Sequence, residues 1–582
     1  MTFRIAAALA SGAALMASAP SPANAKLDAL MKDYWEYSLR TSPESATAVG
    51  DPRYNDRLTD YSLAGIRKDL AAQKGFLAKA KAFKASALDA DHQLDRELLM
   101  WQIQTGLDGA RFKPWEMPLN QMSGLHVDFP ALFSLHPFNT EKDFQDYLAR
   151  LHAFPKAMDD TLANMRAGLK DGIMPPRLIA DDLVAQVKAM ASGDTARAPF
   201  LAPLDKLPAG MSDDQKAKFK AEVARAIDQE VTPAYGRLLA FLEKDYAPKA
   251  LPEPGAWALP DGAARYAYAV KAQTTTNLTP AQIHEIGLKE VARIEGEMLA
   301  IAKGLGYADL ASFRAALAKD PSIHPKDAAQ LVARYKGFVD GMRPELPKLF
   351  GRLPKAQLVV VPMEAFREKD AAAADYNAGT PDGSRPGRFN VNTYEAPQRS
   401  MLTCESTAYH EAIPGHHLQI SIAQELERVP DFRKVMGVTA YQEGWALYSE
   451  SLGKDIGFYK DPYSDYGRLT DEMLRAIRLV VDTGVHSMRW SRQQMVDYFH
   501  AHSGNDEVEI QAETDRYIAW PGQAQAYNIG QLTFLRLREK AKAELGARFD
   551  IRAFHDEVLD SGALPMDVLE RRVDAWIAEQ KK

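Results

Sequence analysis

Between residues 407 and 419 the chain reads T-A-Y-H-E-A-I-P-G-H-H-L-Q, which crowds His410, Glu411, His416 and His417 around a proline and a glycine. Pro414 removes an amide donor and disfavours helical geometry at Ile413, so a helix carrying His410 and Glu411 has to kink or stop there. Gly415 then lets the backbone bulge. A solvated helix face has no need of three imidazoles and a carboxylate in so short a span, and this density points to a metal site.

In the helical pattern H-E-x-x-H, residues four apart share one face, so two imidazoles converge on one cation while the Glu beside the first reaches its water. The fifth position here is Pro414, which cannot coordinate. With Ile413 and Pro414 looped out, the remainder reads His-Glu-Ala-Gly-His and His416 becomes the second ligand. An unbroken helix favours His417 instead, but the rise of about 10 Å over seven residues would let two imidazoles share one ion only poorly. His416 is the preferred ligand and His417 the alternative.

A third ligand comes from residues 441–450, Y-Q-E-G-W-A-L-Y-S-E, in which Glu443 opens an apolar-periodic run. Two histidines followed by a Glu from a later helix leave Glu411 as the general base rather than a ligand. Glu450, two turns beyond Glu443 on the same face, is placed to support a ligating imidazole. Trp445, Leu447 and Tyr448 read as core.

These two strings resemble those of the bacterial domain-of-unknown-function 885 proteins, which are similar to helical gluzincin peptidases of the thimet oligopeptidase and Taq carboxypeptidase kind. The resemblance implies one Zn²⁺ ion, hydrolysis of short peptides by metal-activated water, and a mainly α, multi-helix, two-lobed zincin-like metallopeptidase fold with a small β-sheet beside the active-site cleft. It also implies oxyanion donors from helices after the third ligand. His486, in V-D-T-G-V-H, and Tyr527, in Y-I-A-W-P-G-Q-A-Q-A-Y-N-I-G, fit that pattern. Arg478, Arg489 and Arg516 are candidates to grip a substrate carboxylate in a bidentate fork.

The clearest strand signal is L-V-V-V-P from residue 358, followed after a turn-rich loop by R-F-N-V-N from 388, the stretch that holds Asn390 and Asn392. In similar peptidases a strand edge at this point pairs with the substrate backbone, which makes these asparagines substrate-binding candidates. Arg385 and Arg388 can add carboxylate recognition. Apolar residues three and four apart predict helices over 63–83, 91–107, 141–169, 212–246, 281–304 and 325–349. The aromatic, proline-rich loop 112–137, with His126 and His136, can line a cleft.

Residues 1–25 carry one cation, Arg4, an apolar run and a terminal Ala23-Asn24-Ala25, the pattern of a secretory signal cut after Ala25, with the mature chain starting at Lys26 in the periplasm or outside the cell. No later run approaches the roughly 20 apolar residues of a membrane span. The expected lobes are 26–254 and 255–582, the second holding the strands (about 356–393) and the metal site. With 71 basic against 78 acidic residues, nothing invites nucleic acid. Cys404 is the single cysteine and reads as a small buried hydrophobe, so the fold stands without internal disulfides. A metal-dependent hydrolase of another amide or ester, and a periplasmic peptide-binding protein with a vestigial metal site, are the alternatives.

Overall fold

The structure is a computed structural model that describes residues 21–192, 194–364, 368 and 371–582. Most of the expected leader lies outside these residues. The described chain enters it at Ser21, whose hydroxyl caps the helix Pro22–Thr41 by accepting from the Asn24 N–H. None of the described helices is long and apolar enough to cross a membrane.

Helices dominate, and their bounds follow the apolar spacing. Glu141–Asp171 starts on a Thr140–Asp143 capping box, and Pro280–Gly304 starts on Thr279 with proline in its first turn. The stretch expected as one helix over 212–246 is instead interrupted twice by wide π turns, at Ile227–Val231 and Leu242–Tyr246. Pro233 and Pro248 follow these turns. Neither can donate to the carbonyl four residues back, and each ring displaces that carbonyl, so the preceding turn opens to a wider hydrogen-bonding pattern.

Among the described residues three strands form one sheet, β1 (Leu358–Pro362), β2 (Ala374–Asn377) and β3 (Gly387–Val391), in the order β1-β3-β2. β1 runs parallel to β3, with Leu358 opposite Gly387, and β2 runs antiparallel to it, with Ala374 opposite Val391. β1 has its predicted bounds and β3 starts one residue early. β2 is not predicted, because its first residue belongs to an alanine run that carries no strand signal. Phe389 and Val391 are buried, with the Tyr335 ring edge-on to Phe389 at 5.3 Å. β2 stays on the outer edge beside the helix Cys404–Glu411.

Two large hydrophobic cores take up the helices before residue 250. Residues between Leu119 and Tyr246 build one core, against which Leu58, Tyr61 and Leu251 also pack. Residues between Leu27 and Ile103 share a second core with residues from Leu331 to Ile577, so the first helices pack with the half that holds His410, His416 and Glu443. A buried ion pair between Asp95 and Arg433, at 2.5 Å, ties the two together. Periodicity marks which face of a helix is apolar, not which distant face covers it.

His126 and His136 do not line a cleft. Both are buried: His136 donates from Nε2 to the Asp143 carbonyl at 2.8 Å and accepts at Nδ1 from Arg150 at 3.1 Å. His555 is equally buried, donating to the Leu349 carbonyl and accepting from the Tyr448 hydroxyl, each at 2.8 Å. Burial pushes the pKa of His126 and His136 down to about 4 and that of His555 to about 3. Their unfolded value is near 6.5, so their contribution to stability is full above pH 6.5 and is lost as the unfolded chain takes up protons the fold refuses. The thermal midpoint, followed by circular dichroism, should fall continuously from pH 6.5 to pH 4; an unchanged midpoint across that interval would contradict these assignments.

Candidate metal centre

The helix Cys404–Glu411 ends at Glu411 and a second helix, His416–Gln424, starts directly after the bulge, whose Ile413–Pro414 peptide is cis. The Trp445 indole N–H donates to the Pro414 carbonyl at 2.9 Å, and the His417 N–H donates to the Ala412 carbonyl at 3.0 Å. A Cβ on Gly415 would sit 1.9 Å from the His410 carbonyl oxygen. Only glycine permits that approach. The bulge therefore lets the chain reverse tightly enough for His416 to return to the side of His410.

Glu443, on the helix Thr439–Asp455, meets both imidazoles. Its Oε2 lies 3.5 Å from His410 Nε2 and 3.3 Å from His416 Nε2, and the three ligand atoms all fall within 4.8 Å of one another. His417 turns away, its Nδ1 accepting from the Tyr376 hydroxyl of β2 at 3.0 Å. His410 spans two turns of the facing helix, because its Nδ1–H donates to Glu450 Oε1 at 2.7 Å while Nε2 faces Glu443. That bond fixes the tautomer that leaves Nε2 as a ligand.

The electrostatics of the cluster favour positive charge at its imidazoles. Burial opposes a charge on His410, yet hydrogen bonds to Glu443 and Glu450 outweigh it and lift its pKa to about 10. Burial likewise opposes ionisation of Glu443, and the two imidazoles overcome it, holding that carboxyl well below its ordinary range. The surroundings demand positive charge. Two imidazole nitrogens and one carboxylate oxygen can supply it by binding a divalent cation at roughly 2.0 to 2.2 Å, a three-ligand set that leaves a coordination position open.

Glu411 directly follows His410 and takes no part in the three-atom cluster. Its pKa is raised by burial and by the charges of Glu443 and Asp375, against the pull of the two imidazoles. Asp375 comes from β2, the strand the sequence does not reveal, and is held there by the Asn390 amide at 2.6 Å.

Tyr527 also reaches the centre. Its ring lies nearly parallel to that of His410 with centroids 6.4 Å apart. A close helix crossing puts it there, since a Cβ on Gly444 would stand 2.4 Å from the Gly530 Cα, bringing Thr439–Asp455 and Gln525–Leu545 together backbone to backbone. Arg516 Nη2 donates to the Tyr527 hydroxyl at 3.1 Å, and the Arg478 guanidinium covers the Tyr527 ring at 4.4 Å. Both arginines bind Glu513, a residue not singled out in the sequence although its i,i+3 spacing to Arg516 is legible there.

Other predicted site residues are structural. His486 accepts from the Ala256 N–H and donates to the Tyr517 carbonyl, each at 2.9 Å, so both ring nitrogens are committed to backbone and none is left for an oxyanion. Arg489 is exposed and stacks on Trp257. Asn392 donates to the carbonyls of Glu368, Ala371 and Ala372 and accepts from the Tyr394 N–H, which uses it up in shaping the loop. Asn390 spends its amide hydrogens on Asp375 and Asn377, so it positions β2 rather than a ligand. Arg385 clamps the carbonyls of Leu135 and Ala48, and Arg388 pairs with Glu364. Cys404 is buried with its thiol pushed up to about 12, as a small hydrophobe should be.

Calorimetric titration of metal-free protein with zinc should give one site. Replacing His416 by Ala or Glu443 by Gln should weaken it at least about 100-fold, and Glu450→Gln by roughly 10–100-fold. His417→Ala should bind as the parent does; a loss there equal to that of His416→Ala would contradict the assignment.

Comparison with known proteins adds the family and the fold. A crystal structure of a candidate lipoprotein from Colwellia psychrerythraea is 30% identical in sequence, covers 96% of this chain and 100% of its own, and superposes with a TM-score of 0.92. A candidate lipoprotein of unknown function from Shewanella oneidensis, 19% identical over 94% of this chain and 99% of its own, shares the fold with a TM-score of 0.67. No curated protein matches. The model of the bacterial proteins of unknown function DUF885 matches residues 43–573, and the chain belongs to that family.

Proposed function

We propose that this protein is an exported, zinc-dependent peptidase that hydrolyses short peptides with Glu411 as general base. The observation that carries this is the convergence of His410, His416 and Glu443, with Glu450 behind one imidazole and Glu411 beside it. The order of two histidines and a Glu from a later helix is that of gluzincins, and the zincin-like, two-lobed arrangement around a cleft belongs to the same proposal. A zinc ion in this site would acidify water and polarise a carbonyl oxygen.

The chain's own residues supply the rest. Glu411, with a raised pKa, takes a proton from the attacking water and returns it to the departing amine. The Tyr527 hydroxyl already accepts from Arg516, so its own hydrogen is free to donate to the carbonyl oxygen as negative charge builds there. β2 is an outer strand of the sheet beside the helix of His410 and Glu411, and an extended peptide can add to such a strand through main-chain hydrogen bonds. Pairing of that kind orients a peptide without reading its side chains. The description of the Colwellia psychrerythraea neighbour as a candidate lipoprotein supports a place outside the cytoplasm, as does the leader pattern of residues 1–25.

Incubating the zinc-loaded protein with a defined peptide mixture and identifying products by mass should reveal cleavage. Glu411→Gln should keep its zinc and lose turnover by roughly 10²–10⁴-fold. Undiminished turnover in that variant, or an intact mixture with the parent protein, would overturn the proposal.

A further inference from the structure

Arg478, Arg516, Tyr527 and Glu513 form a largely enclosed polar group near His410 that the hydrolytic step leaves partly unused. Arg478 is 3% exposed. Its Nε–H donates to the Tyr517 hydroxyl at 3.0 Å and its Nη2 to Glu513 at 2.8 Å, but its Nη1 is buried with no hydrogen-bond partner among the described residues. Arg516 spends Nη1 on the other oxygen of Glu513 at 3.1 Å and Nη2 on Gln523 and Tyr527. Two guanidinium groups thus share one carboxylate, and the Tyr517 hydroxyl donates to that same carboxylate.

An uncompensated guanidinium nitrogen kept from water costs free energy that a folded chain normally avoids. The partner its chemistry asks for is an anion with oxygen acceptors, and a carboxylate fits a guanidinium best. We propose that Arg478, backed by Arg516 and Glu513, binds the free C-terminal carboxylate of the substrate, so that the enzyme removes short fragments from the carboxyl end of peptides. This rests on the peptide hydrolysis proposed above.

Distance limits the fragment. The Tyr527 ring is 6.4 Å from the His410 ring, and the Arg478 guanidinium lies 4.4 Å from the Tyr527 ring centre, so the two distances together bound the reach. Each extended residue covers roughly 3.3–3.6 Å, so a carboxylate at Arg478 is at most about three residues beyond the bond being cut. Glu513 keeps both arginines in place: it occupies Nη2 of Arg478 and Nη1 of Arg516, and the Arg478 plane rests on the Tyr527 ring, which restricts its rotation. A Lys at 478 would offer a point charge without that planar fork.

The test compares one peptide made as the free acid, as the C-terminal amide, and as the amide with a Glu side chain placed near its end, each incubated with the zinc-loaded full chain. The free acid should lose fragments of one to three residues, and the amide should be cut at least about tenfold more slowly, the loss expected for one charge-assisted hydrogen bond. Arg478→Lys should raise KM for the free acid and shrink the difference between acid and amide. Should that variant fail to fold, the acid and amide comparison on the parent protein decides alone. Equal cleavage of acid and amide, internal cleavage leaving longer fragments, or full rescue of the amide by the Glu side chain would overturn the C-terminal assignment and leave the peptidase proposal standing. Failure to cut any of the three would overturn both.

Discussion

A reversal of the chain within residues 412–415 governs everything downstream of it. Gly415 closes on the His410 carbonyl and the Trp445 indole holds the carbonyl of Pro414. With a side chain at 415 the two helix ends could not approach, and His416 would stand off from His410. Trp445 lies two residues after Glu443 on the same helix. One short segment thus both orders the bulge and delivers the third donor, which couples the placement of all three.

Around this reversal the molecule arranges charge in pairs that only make sense together. His410 lies between Glu443 and Glu450, and Arg475, which pairs with Asp471 at 3.0 Å, adds positive charge beside Glu450. Farther out, Arg478 and Arg516 converge on Glu513 behind Tyr527. Removing one partner from such a buried set leaves a charge without compensation, typically about 3–5 kcal/mol of destabilisation. The network therefore fixes positions more than it adds stability. Helices carry nearly all of these side chains, and the contact at Gly444 and Gly530 sets how near the Tyr527 layer comes to the centre.

The convergence of His410, His416 and Glu443 was legible in the sequence because its signal is local. A proline in the fifth place of an H-E motif, a glycine after it and a downstream Glu constrain the backbone before any tertiary contact is known, and these mark His410, His416 and Glu443. Helix bounds and β1 were legible for a similar reason, since apolar periodicity and β-branched runs act within one element. Side-chain roles that depend on distant partners were not. His486 sits beside a glycine in a helix and looks functional, but the backbone of Ala256 and Tyr517 consumes both its nitrogens. Asn392 is buried by a loop it shapes, and Asp375 lies on a strand hidden in an alanine-rich run. Core sharing between residues near Leu27 and residues near Ile577 likewise leaves no trace in either stretch alone.

The measurement that bears most directly on this account is an anomalous difference map, collected at the zinc edge, from crystals grown with zinc. A single strong peak about 2 Å from His410 Nε2, His416 Nε2 and a Glu443 oxygen is the predicted result. A peak bound elsewhere with these three side chains still in mutual contact, or none at this position at full metal loading, would contradict it.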